Sequence, residues 1–331
     1  NIDDFETQVR EVLRNIEDPQ NYDDEWLLRG LVVGNVQSGK TTNYIGLMNM
    51  AVDVGYKVII VLAGAGNALR KQTQIRIEEG LTGVDSITKD RIGINYYKDD
   101  DAEYSNMLSW TSRANDGDFS SKVKRSINFS ESWAKNESPI LFVTKKHKGI
   151  LESLEDWLQS RTEEGKRIPS PLLLIDDECD YASINTKKID GEDDSEYDPT
   201  AINKCIRNIM HRFERASYVG YTATPYGNIF IRTEDEDGNP NNDESVYDLF
   251  PDNFILNLGS NDVYAGPNLM FPNECSDELS FYREVDYAEW DFFSSIIKAK
   301  NRKLKNSGLD VKEHKKERAQ IYQRILDSHY E

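Results

Sequence analysis

Cysteine and histidine are scarce in this chain, three of the former and four of the latter in 331 residues. Cys179, Cys205 and Cys275 are odd in number and show no CxxC spacing. That excludes a disulfide scaffold, gives no metal-ligating cluster, and suits a reducing, cytoplasmic setting. His147, His211, His314 and His329 lie far apart, so no histidine-metal nuclease centre is visible. No apolar run approaches the roughly 18 residues a membrane helix needs. The opening NIDDFETQVREVL lacks the basic-then-apolar order of a secretory signal. Positive charge is also short, with 40 Lys and Arg against 59 Asp and Glu, a net charge of −19. Such a surface repels nucleic acid on average, so any DNA contact needs a locally basic face or a partner domain.

Hydrophobic periodicity is present in two forms. Residues Ile2, Phe5, Val9, Val12, Leu13 and Ile16 recur at helical spacing, and the same is true of Ile150, Leu151, Leu154, Trp157 and Leu158, and of Ile202, Cys205, Ile206, Ile209, Met210 and Phe213. Between these lie aliphatic, β-branched runs too short for helices: 31–33, 58–62, 140–143, 172–175 and 218–221. Strands apolar throughout, alternating with amphipathic helices, predict an α/β fold with a mostly parallel sheet covered on both faces. Polar stretches at 96–119, 187–200 and 233–245 read as surface insertions, the last as an acidic loop closing the sheet domain. The expected organisation is an N-terminal helical segment over 1–30, a nucleotide-binding lobe over 31–232, and an acidic loop with a mainly helical extension over 233–331. The chain opens on Asn and ends inside a helical pattern, which reads as a piece of a longer polypeptide.

The stretch LVVGNVQSGKTTN, residues 31–43, carries a complete G-x-x-x-x-G-K-[ST] pattern from Gly34 to Thr41. Its glycines let backbone N–H groups turn inward on phosphate oxygens, and Gln37, Ser38, Gly39 and Thr42 complete the expected cradle. Lys40 is placed to reach the β- and γ-phosphates, and the Thr41 hydroxyl to bind Mg²⁺. The helix expected to begin near Thr41 adds its positive dipole end. By accident such a match arises in a chain this long on the order of once in a hundred, and its position between a strand and a helix lowers those odds. The expected cofactors are ATP and Mg²⁺, in a RecA-like P-loop NTPase lobe.

Downstream, PLLLIDDECDYAS (171–183) ends a buried strand in Asp176-Asp177-Glu178-Cys179-Asp180. Aligned as D-E-x-D, Asp177 is expected to hold Mg²⁺ and Glu178 to orient or deprotonate the attacking water. Asp176 reads as a hydrogen-bonded strand-end residue and Cys179 as a small packing residue. The D-x-x-G and N-K-x-D signatures of GTPases are absent. A third strand ends in Thr222-Ala223-Thr224-Pro225. This order is that of superfamily-two helicase-like motors, where Thr222 and Thr224 would couple the γ-phosphate site to a second lobe. Gly66, Leu69 and Gln72 parallel a T-x-x-L-x-x-Q element that touches nucleic-acid backbone, with Arg70, Lys71 and Arg76 supplying local positive charge; an ordinary amphipathic helix is the alternative. Gln20 is the candidate for a base-reading glutamine.

GNVQSGKTTNYIGL, LLLIDDECDYASINT, the 198–231 segment and DLFPDNFILNLGSNDVYAGP together resemble the Z-one domain family, described as endonucleases. The likeness runs from about residue 30 to about residue 270, and its family-specific part is the 248–254 and 264–266 elements. The resemblance implies an ATPase linked to DNA in bacterial restriction and antiphage defence, often paired with a MutL- or Hsp90-like ATPase. It does not imply cleavage by this chain. Pro251-Asp252 and Glu313-His314-Lys315 formally give P-D…E-x-K, but the second half sits in a charged helical pattern. No Q-x-x-G-R-x-x-R element follows, so the second motor lobe with its arginine finger is missing, and hydrolysis by this chain alone is expected to be slow. An ATP-dependent switch that scaffolds a partner effector, without moving along DNA, is the alternative function.

Overall fold

Apolar runs without helical length pair edge to edge because a strand buried on both faces needs no polar side. The computed structural model describes residues 2–21, 24–35, 38–97, 107–119, 138–160, 162, 165–181, 183, 199–229 and 249–258. The chain divides into two compact units, Asn1–Tyr264 and Ala265–Glu331, and every described residue belongs to the first. The expected acidic loop at 233–245, the helical extension beyond 258 and the 264–266 element lie outside the described residues.

Seven parallel strands form one sheet: β1 (Trp26–Val33), β2 (Val58–Ala63), β3 (Leu108–Ser109), β4 (Ile140–Thr144), β5 (Leu172–Asp177), β6 (Arg215–Thr222) and β7 (Phe254–Asn257). Their spatial order is β3-β4-β2-β5-β6-β1-β7. The helices are α1 (Ile2–Asn15), α2 (Lys40–Val54), α3 (Asn67–Ile77), α4 (Lys148–Gln159), α5 (Pro199–His211) and the single turn α6 (Tyr226–Ile229). This is the α/β fold with a parallel sheet and amphipathic helices expected from the alternating pattern. Strand alternation sorts the core into two layers. In β2, Ile59, Val61 and Ala63 face the α1–α2 side, with Val9, Val12, Leu47 and Met48. Val58, Ile60 and Leu62 face the α4–α5 side, with Leu151, Leu154, Ile202 and Ile206. Each buried Val, Leu, Ile or Met among them contributes roughly 1.5–3 kcal/mol. Among the described residues no helix is long and apolar enough to cross a membrane.

Two segments depart from expectation. The 96–119 stretch is not merely a surface insertion: its second half supplies β3 and buries Thr111, Asp118 and Phe119. Phe119 joins an edge-to-face cluster with Phe142 and Trp157, at ring separations of 5.7 Å each, and Trp110 meets Phe142 edge-to-face at 5.1 Å. Its acidic composition hid four residues that cover the sheet edge. The sheet also continues past the acidic loop, since β7 pairs with β1 from Gly30↔Phe254 to Val33↔Asn257. There Pro251-Asp252 has a structural role: Asp252 is ion-paired with Arg29, and Asn253 Oδ1 accepts the Arg29 N–H at 2.8 Å. β1 itself begins at Trp26, because the apolar run is interrupted by Arg29 and Gly30 without breaking the strand. Glycine is required at position 30, where a Cβ would stand 2.1 Å from the Phe254 ring.

Candidate functional site

All strands being parallel, their C-terminal ends share one edge, where ligands of such sheets bind. β6 lies between the loop strand β1 and the carboxylate strand β5, with Val33 opposite Thr222 and Asp177 opposite Tyr221. The register therefore brings three sequence motifs, separated by up to some 190 positions, to one place. They border a cleft of about 1090 Å³ lined by Gly39, Lys40, Thr41, Thr42, Asp177, Glu178, Asp180 and Thr224, with Leu69, Gln72 and Arg76 of α3 opposite.

The loop begins at Gly34, whose N–H donates to Thr222 O at 2.9 Å. Gly39, at φ +87°, is the residue that turns the chain into α2, a left-handed conformation that favours glycine. Lys40 Nζ donates to Gly34 O at 2.8 Å and Asn35 O at 3.0 Å, folding back along its own loop. Burial lowers the pKa of Lys40, while Asp177, Asp180 and Glu178 oppose that shift. Ser38 Oγ is buried without a hydrogen-bond partner. A cradle with a lysine, an orphaned hydroxyl and the N–H groups of a helix start fits a phosphate chain. Val36 and Gln37 lie outside the described residues.

On the opposite wall, Asp177 is half-buried and its pKa is raised, first by burial, then by Glu178 and Asp176, with Lys146 opposing. Tyr44 on α2 donates to Asp177 Oδ2 at 3.2 Å, and burial together with Asp177 pushes the Tyr44 hydroxyl up. Glu178 stands exposed at φ +54°, a conformation that costs a non-glycine residue about 1–2 kcal/mol. Asp180 joins the motifs: Thr222 Oγ1 donates to Asp180 Oδ1 at 2.7 Å, Thr224 Oγ1 donates to Asp180 Oδ2, and the Thr224 N–H donates to Thr222 Oγ1 at 2.9 Å. Cys179 is fully buried and its thiol is pushed well up by that burial, which makes it inert. Asp176 is a hydrogen-bonded strand-end residue, accepting from Tyr218 Oη at 2.7 Å and ion-paired with Lys146.

Two expectations are corrected. Arg70 does not offer charge to a ligand: it is 1% exposed, donates to Ser112 O and Ala114 O at 3.0 Å each, and lies 3.8 Å from Asp118. Its role is to fasten the 107–119 segment onto α3. Lys71 and Arg76 remain exposed, and Arg76 Nη1 comes within 3.4 Å of Thr41 Oγ1. Gln20 is not at the cleft, because its Nε2 donates to Val54 O at the far end of the 15-residue α2, about 22 Å from the loop. The residues that the motifs did not reveal are Tyr44 and Lys146, both of which contact the carboxylates through the fold. A tyrosine on a helix after the loop and one lysine in VTKKHK carry no spacing that would single them out.

No protein-family model matches the sequence, and no curated protein does. Among solved structures the chain is similar to the helicase domain of Hef from Pyrococcus furiosus, at 14% identity and a TM-score of 0.34. The match covers 66% of this chain and 32% of that one, so this chain spans about a third of the length of the protein it matches.

Proposed function

We propose that this chain is a helicase-like P-loop ATPase lobe that binds Mg·ATP and acts on DNA as a motor subunit of a bacterial defence system, as the resemblance to the Z-one family implies. One observation carries the reading: Lys40, Thr41, Asp177 and Glu178 border a single cleft, and Asp180 links it to Thr222 and Thr224. The bound cation would supply charge neutralisation for the leaving phosphate. Lys40 and the loop N–H groups would bind and orient the phosphate chain, while Thr41 and Asp177 would hold the cation. Among the described residues no three acidic, cysteine or histidine side chains form a metal cage. Mg²⁺ at a nucleotide site uses one or two protein ligands and takes the rest from phosphate and water. Glu178, exposed on the cleft wall, orients the attacking water and accepts its proton. Thr222 and Thr224, tied to Asp180, relay the state of the site to whatever covers the strand ends.

The alternative, an ATP-dependent switch that answers to a protein partner such as a MutL- or Hsp90-like ATPase, is favoured by the net charge of −19. ATP hydrolysis with and without linear duplex DNA separates the two. A Lys40-dependent rate that rises with DNA, and a DNA affinity that weakens steeply with salt, support the motor. A Lys40-dependent rate indifferent to DNA supports the switch, and a rate untouched by Lys40→Ala contradicts both.

A further inference from the structure

We propose that Lys146 is a positioning residue that fixes the turn carrying Glu178, and through it the place of that carboxylate at the cleft. The inference rests on the ATPase reading above. Lys146 lies two residues beyond β4, yet the turn follows β5, and β2 stands between them in the sheet. Its side chain is fully buried and crosses that gap. The ammonium donates to Glu178 O at 2.6 Å and Tyr181 O at 3.1 Å and is ion-paired with Asp176 Oδ1 at 2.7 Å. All three lie on one six-residue stretch that brackets Asp177 and Glu178. The base of the lysine is itself fixed, since its N–H donates to Gly64 O at 2.9 Å beyond β2.

The turn needs such a hold. Glu178 sits at φ +54°, and its carbonyl also accepts the Tyr181 N–H at 2.9 Å. Without the ammonium, the Glu178 carbonyl keeps one partner, the Tyr181 N–H. The residues after it stay tied to β6 and its end through the Cys179 N–H to Tyr221 O at 3.1 Å and the Asp180 bonds. The ammonium is the second hold on the disfavoured Glu178 itself. Asp176 in turn is oriented from β6 by the Tyr218 hydroxyl, so the clamp draws on β4, β5 and β6 together. A buried ion pair is poor support for stability, because apolar or neutral replacements often cost nothing. Its placement across the carboxylate turn points instead to geometry. The neighbouring Lys145 reaches Asn67 Oδ1 at 3.0 Å and takes no part in the turn.

The test is Lys146→Met combined with Asp176→Asn, which removes both charges, leaves no lone buried carboxylate and keeps an acceptor for Tyr218. In the 331-residue chain, three quantities are read: affinity for Mg·ATP, single-turnover hydrolysis and amide exchange at Tyr181. Expected are an affinity within about twofold of wild type, hydrolysis at least about tenfold slower, and exchange at Tyr181 at least about tenfold faster. A double variant that hydrolyses at the wild-type rate, or whose Tyr181 amide keeps its protection, overturns the proposal. Wild-type hydrolysis equal to that of Lys40→Ala overturns the ATPase reading and the catalytic part of this proposal with it. The exchange result then separates that failure from a failure of the clamp.

Discussion

Lys40 and Asp180 show how single side chains divide the labour of the cleft. Lys40 bonds only to its own loop carbonyls, contacts that a phosphate chain would replace at little cost. Asp180 spends both oxygens on Thr222 and Thr224. Asp180→Asn is therefore expected to leave Mg·ATP affinity nearly unchanged while lowering turnover by about tenfold or more, as a kcat-against-KM comparison would read. An equal loss in affinity would contradict the assignment. The basic residues of α3 divide in the same way. Lys71→Ala is expected to reduce the salt slope of DNA binding by about one. Arg70→Met leaves that slope alone and destabilises the fold by about 3 kcal/mol, because Asp118 loses its buried cation, as a shift in denaturant midpoint would reveal. The loop residues were legible because phosphate binding is a local backbone problem with fixed spacing. Arg70 and Gln20 were misread because their partners, Ser112, Ala114 and Val54, are set by tertiary contacts that no local pattern encodes.

At the level of elements, five strands and the helices α1, α4 and α5 were legible from periodicity, since burial on both faces leaves apolar runs. β1, however, was read only over its last three residues, and α2 was expected from the loop motif before it. The edges were not. β3 has two residues, and β7 follows an acidic stretch with one buried side chain, Phe254, between exposed neighbours. Edge strands need less apolar surface, so composition conceals them. The contact of Gly30 with the Phe254 ring makes β7 testable. Gly30→Ala is expected to cost about 1–3 kcal/mol by overpacking. In a Phe254→Ala background the same change is expected to cost less, and a double-mutant cycle on thermal unfolding measures the difference. Additive costs would mean that β7 does not seat against Gly30.

For the molecule as a whole, the motifs converge on one open edge of the sheet, and no arginine faces the cleft from a second lobe among the described residues. Arg76 lines it from α3. An arginine finger in comparable sites is worth roughly three to five orders of magnitude in turnover. The chain alone is therefore expected to bind Mg·ATP well and hydrolyse it slowly, far below one turnover per second, in a steady-state assay. The most direct measurement is a calorimetric titration of the 331-residue chain with ATP in the presence of Mg²⁺. One binding event per chain is predicted, abolished by Lys40→Ala and weakened strongly by a chelator. Heat of binding that persists unchanged in Lys40→Ala, or no binding at all by the folded wild-type chain, would contradict the account of this cleft.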